Sequence, residues 1–139
     1  MDATFLAKIR SDYPEFSFRE GKRFSFRPPK TIIMRSNEEN GELLLLHELG
    51  HALSGHKTFD TGARRLKMER EAWEKVREIA PKYGVGFDDS LVEVELDTYR
   101  DWLDKKTRCK KCGLTCYQTP DGVNHCPRCE NFSLKRTLP

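Results

Sequence analysis

Apolar and polar positions alternate with different periods along the chain, and each period predicts an element. Phe5, Leu6 and Ile9 fall at helical spacing and predict a short helix over 3–10. Asp12-Tyr13-Pro14 breaks it. Phe16, Phe18, Phe24 and Phe26 then alternate with polar residues on each side of Glu20-Gly21-Lys22. That period of two predicts a hairpin, ended by Pro28-Pro29. Thr31-Ile32-Ile33-Met34 reads as a further short strand. The polar loop Ser36-Asn37-Glu38-Glu39-Asn40 can cap a helix over about 42–54, with Gly55 as its stop. Residues 63–80 are strongly helical and end at Pro81. After a turn at 84–87, Asp88-Asp89-Ser90 open a last helix. Its apolar positions are Leu91, Val94, Leu96, Tyr99, Trp102 and Leu103. Lys105-Lys106-Thr107 then link to a cysteine-bearing tail.

The helix over 42–54 is unusual because it has no polar face. Leu43, Leu44, Leu45 and Leu46 precede His47-Glu48-Leu49-Gly50-His51, and Ala52 and Leu53 follow. A helix apolar on every side is expected to be buried, and buried histidines need partners. Histidines four residues apart share one helical face, so His47 and His51 can bind one metal ion. Glu48, beside the first of them, can reach a water on that ion and act as general base. The HExxH pattern in this setting predicts a zinc site.

A hydrolytic zinc takes three protein ligands and keeps one position for water. Two sources can supply the third. On the helix over 63–80, Met68, Ala72, Trp73, Val76, Ile79 and Ala80 share one face, and Glu69 falls within it. Glu71, the alternative ligand on the same helix, lies about 160° away from that face. A carboxylate on a buried face needs a cation, which zinc would be; otherwise Glu69 pairs with an arginine at the rim of the core. The other source is His56, five residues after His51. On a continuing helix it would face away from His47, and only a sharp turn at Gly55 swings it back. It can then be a ligand or a substrate contact at the cleft rim. Tyr83 is a second candidate for substrate or transition-state contact.

The tail carries different chemistry. Cys109-Lys110-Lys111-Cys112 and Cys126-Pro127-Arg128-Cys129 are two CxxC knuckles with 13 residues between Cys112 and Cys126. That spacing predicts a zinc ribbon, with four thiolates closing a tetrahedron around a structural ion. Such a site explains how a segment poor in apolar residues folds. Cys116 is the fifth cysteine and is expected to be a spare thiol. Charge follows the same division. Residues 1–104 hold 17 Lys/Arg against 20 Asp/Glu, a net of −3, whereas 105–139 hold 8 against 2, a net of +6. A basic module of this kind can touch nucleic acid or another acidic partner.

The 139 residues suffice for one core plus a minidomain, and no apolar run is long enough for a membrane span. The N-terminus lacks the pattern of a signal peptide. A cytoplasmic protein is expected, in which cysteines more often bind metal than pair.

His47-Glu48-Leu49-Gly50-His51-Ala52-Leu53-Ser54-Gly55-His56, followed by Glu69-Arg70-Glu71-Ala72-Trp73, resembles the ImmA/IrrE family of metallopeptidases over roughly residues 30–80. In that family an E-x-x-A-type motif on the next helix completes the HExxH site. The resemblance thus implies His47, His51 and Glu69 as zinc ligands and Glu48 as catalytic base, in a gluzincin-like hydrolase. It also implies a protein substrate such as a repressor or other regulator. The usual F-A after the glutamate motif reads Glu74-Lys75-Val76 here, and a ribbon stands where a helix-turn-helix is often found. SprT-like proteases, which act on DNA-bound proteins, also join HExxH to a zinc ribbon. Their third ligand is a downstream histidine, and His125 between the knuckles fits that role badly.

The expected architecture is α+β: a minimal zincin-like domain at 1–104, with a small sheet, the HExxH helix and packing helices, and a zinc ribbon at 105–139. One catalytic and one structural Zn²⁺ are implied, and iron, cobalt or manganese can compete for the first. The strand at 31–34 is expected to form the cleft edge where an extended peptide adds. The rival from another class is a zinc-bound module that docks nucleic acid or protein without cleaving it.

Overall fold

The computed structural model describes residues 1–59 and 61–133. Helices α1 (Ala3–Asp12), α2 (Gly41–Leu53), α3 (Gly62–Ile79) and α4 (Asp89–Thr107) combine with strands β1 (Ser17–Glu20), β2 (Ser25–Arg27) and β3 (Thr31–Met34). Strands β4 (Tyr117–Gln118), β5 (Val123–Cys126) and β6 (Glu130–Ser133) follow α4. The fold is mixed α+β. The chain forms two compact units, Met1–Lys57 with Arg70–Asp88, and Thr58–Glu69 with Asp89–Pro139. Helix α3 is continuous through that division. The expected boundary at 104/105 falls inside α4, because Lys105, Lys106 and Thr107 continue the helix rather than linking it.

In the first unit β3 is the central strand of the order β1-β3-β2. Strand β1 runs parallel to it, with Phe18 opposite Ile32. Strand β2 runs antiparallel, with Phe26 opposite Ile32. Ile32 and Met34 are buried, as the most apolar strand of a small sheet should be. The hairpin is not formed between β1 and β2 around Glu20-Gly21-Lys22; it is formed between β2 and β3 around residues 28–30. Nor is β3 a free edge, since β1 and β2 flank it. Period-two alternation assigns faces to a strand but says nothing of its partners.

Helix α2 packs on β2 and β3. Leu43, Leu45, Leu46, Leu49, His47 and His51 are buried. Leu44, Glu48 and Ala52, four residues apart, are only half-buried. The helix is therefore open along one stripe, not enclosed all round, and Glu48 stands in the middle of that stripe. Asn40 precedes the helix with φ 57° and makes no side-chain cap, so the polar loop enters by a left-handed turn instead. Gly50 marks the approach of α3: a Cβ there would lie 2.5 Å from the Ala72 carbonyl oxygen. On α3, Glu69, Ala72, Trp73, Val76 and Ile79 form the buried face that helical spacing foretold. A 3₁₀ turn, Ala80–Tyr83, follows. On α1, Phe5 and Ile9 are buried, and Asp2 accepts the Thr4 N–H as N-cap.

In the second unit Val92 and Leu96 are the buried apolar positions of α4, while Val94 is 64% exposed. Two residues turn a helix by about 200°, so Val94 points away from the face that Val92 and Leu96 share. Gly62 at the start of α3 admits Leu103, whose Cδ1 would lie 2.6 Å from a Cβ there. Strands β4, β5 and β6 form an antiparallel sheet. The wholly buried Asn124 ties it to α4 by donating its amide to the Lys106 carbonyl. No helix among the described residues is long and apolar enough to cross a membrane.

Candidate metal centre

His47, His51 and Glu69 each bring one ligand atom within 4.8 Å of the others, and all three are buried. Helix geometry makes the pair of histidines. Their Nε2 atoms lie 3.2 Å apart, and the rings meet edge to face at 4.6 Å. Zinc–nitrogen bonds of about 2.0–2.1 Å in a tetrahedron put two ligand nitrogens about 3.3–3.4 Å apart, so the histidines are already at bridging distance. Glu69 is 1% exposed. Being on a continuous helix, it keeps its place one turn before Ala72 and Trp73. Arg65 lies 2.9 Å from Glu69 Oε1. The arginine pairing considered for Glu69 is thus present together with the histidine cluster, and a carboxylate has two oxygens with which to serve both. Two imidazoles and one carboxylate are the donor set of a hydrolytic zinc site, so these residues fit the ion.

His56 is not a member of this ligand group, and its buried side chain is not a free contact at a cleft rim. Helix α2 ends in a Schellman motif: the His56 N–H donates to the His51 carbonyl and the Gly55 N–H to that of Ala52. Gly55 takes φ 69°, the left-handed conformation that motif requires. The turn brings His56 Nδ1 to 2.9 Å from His51 Nδ1. On the other side of the ring, His56 Nε2 lies 2.9 Å from Glu71 Oε2. Glu71, weighed as an alternative ligand, is instead the outer member of this chain.

Trp73 is a contact that sequence reading placed only in the core. Its ring stacks on His47 with centroids 4.2 Å apart and planes at 23°. Phe87 meets Trp73 edge-on, and the Arg77 guanidinium covers Phe87. Tyr83, the other candidate for substrate contact, is engaged by α1. Its hydroxyl donates to Asp12 Oδ2 at 2.7 Å, its ring meets Phe5, and Lys8 sits over its face. Burial, then the Asp12 hydrogen bond, pushes its pKa far above the usual phenol range. It serves the packing of α1.

The four knuckle cysteines form the other ligand group, Cys109, Cys112, Cys126 and Cys129. The N–H groups of Cys112 and Lys111 hold the Cys109 thiol below its ordinary pKa. The Cys129 and Arg128 N–H groups lower Cys126 to about 6. These amides are built to receive thiolates. Cys116 shares the buried cluster, but burial, then Cys126 and Cys109, raises its pKa to about 11. The hydrogen bond with Cys112, then burial, raises Cys129 likewise, to about 12, so what sets Cys116 apart is its place outside the ligand group. His125, the downstream histidine a SprT-like site would need, stacks on Tyr117 across the β4–β5 pair.

The chain matches no protein-family model, no curated protein and no solved structure. The ImmA/IrrE resemblance rests on the residues quoted for it.

Proposed function

We propose that this chain is a zinc metallopeptidase of the ImmA/IrrE type, cleaving a narrow set of regulatory proteins. The observation that carries the reading is the buried group of His47, His51 and Glu69 with Glu48 on the half-buried stripe of the same helix. A purely structural site has no use for a base beside its ligands. Bound zinc would supply Lewis acidity toward a peptide carbonyl and toward water. Glu48 takes a proton from the attacking water and passes it to the leaving amine as the C–N bond breaks. Trp73 and Arg65 hold His47 and Glu69 in place. The free sheet edges belong to β1 and β2, and β2 lies beside α2, so β2 is the strand an extended substrate would join.

The test compares new protein N-termini generated in a cell extract by the wild type and by Glu48→Gln, both zinc-loaded. Termini that appear only with the wild type are expected. Identical sets would overturn the peptidase reading.

One observation favours an added role for the ribbon. Tyr117 is 61% exposed and stacks on His125, at 5.1 Å and 18°, in a segment rich in lysine and arginine. Exposed aromatics amid basic charge suit nucleic acid. Binding that weakens with salt, and with Tyr117→Ala or Lys110/Lys111 neutralisation, is expected of that role; mobility of DNA unchanged by the protein contradicts it.

A further inference from the structure

We infer that His56 and Glu71 are positioning residues that fix the tautomer of His51 for metal binding. The inference rests on the metal-centre reading above and concerns residues that the ligand group does not include.

The hydrogen-bond chain has only one arrangement that leaves Nε2 of His51 ready for a metal. His51 Nδ1 and His56 Nδ1 are 2.9 Å apart, so one donates and the other accepts. A carboxylate accepts only, so His56 Nε2, 2.9 Å from Glu71, is the donor of that contact. A neutral His56 protonated on Nε2 has a bare Nδ1, and His51 must then donate from its own Nδ1. That places the His51 lone pair on Nε2, the atom that faces His47 Nε2. The sequence is carboxylate, imidazole, imidazole, metal: the usual carboxylate–histidine support of a ligand, lengthened by one ring.

The fold builds this chain locally. His51 and His56 are 6% and 9% exposed. Gly55 reverses the backbone so that the residue five positions on returns to the ligand it follows. Glu71 is two residues past Glu69, about 200° round α3. One helix thus offers a carboxylate to the ligand group and another to its support.

The test uses the full zinc-loaded chain, with zinc affinity read by competition against graded chelators. The ribbon serves as an internal reference. His56→Ala should weaken the zinc at His47/His51/Glu69 by about 10–100-fold and leave the ribbon unchanged. His56→Asn, whose carbonyl stands near the place of Nδ1, should recover most of that loss. Glu71→Gln still accepts from His56 and should cost less than His56→Ala. Imidazole ¹⁵N spectra of the chelated protein should show His51 protonated on Nδ1 in the wild type and in His56→Asn. A purely structural tie between α2 and α3 would change thermal stability and neither of these readouts. Equal zinc affinity in folded His56→Ala, or a His51 protonated on Nε2 in the wild type, would overturn the inference. If His56→Ala does not fold, loss of the site in His56→Asn would do so. Zinc held by the wild type only at the ribbon would remove the metal centre itself, a distinguishable failure.

Discussion

Glu48→Gln removes a base while keeping the shape of the side chain. It should retain zinc at both sites and lower the cleavage rate by at least about 10²–10⁴-fold; unchanged cleavage would refute the role. Tyr83→Phe should behave oppositely. It deletes the hydrogen bond to Asp12, costs about 0.5–1.5 kcal/mol in denaturant unfolding, and leaves zinc and cleavage intact. Lost cleavage in a folded Tyr83→Phe would restore it to the site. Trp73 offers an optical check, because it stacks on His47 and is one of two tryptophans. Cobalt at that site should quench its emission, and Glu69→Ala should abolish the quenching. At this scale much was legible. A buried carboxylate is costly, so Glu69 on an apolar helical face announced itself. The place of His56 was not, because it depends on the backbone angle of one glycine. Nor was the place of Tyr83, because a lone tyrosine carries no sign of the partner it will meet.

Elements were legible where period fixes a face and illegible where a partner must be chosen. The apolar face of α3 followed from helical spacing, yet β1 and β2 were joined into a hairpin that β3 in fact separates. Alternation of phenylalanines is equally consistent with either neighbour, and Ile32-Ile33 at the centre is what decides. Val94 is one of the apolar positions of α4, yet its angle on the helix puts it outside. Helices α2 and α3 approach closely at Gly50, where the Ala72 backbone leaves no space for a methyl group. Gly50→Ala should cost about 1–3 kcal/mol as the helices are pushed apart. It should also weaken zinc binding, since His51 follows immediately. A melting temperature equal to that of the wild type would mean that the helices are not this close.

The molecule carries on one chain two groups of residues, of different chemistry, that could hold a metal ion, and the cysteine spacing made the grouping of the second legible. Ligand protonation competes with metal. Cys126 ionises near 6 and Cys109 below its ordinary value, so ribbon zinc should be held at neutral pH and released as pH falls through and below that range. Cys116→Ser should leave this release unchanged, because Cys116 lies outside the ligand group. The division into two compact units was not foreseeable from composition, since charge changes at 104/105, inside α4, whereas the units divide within α3 and before α4. The most direct measurement is zinc per folded chain, wild type beside Glu69→Ala, at neutral pH. Two ions in the wild type and one in the variant are expected. One ion in both, with each chain folded, would contradict a metal centre at His47, His51 and Glu69.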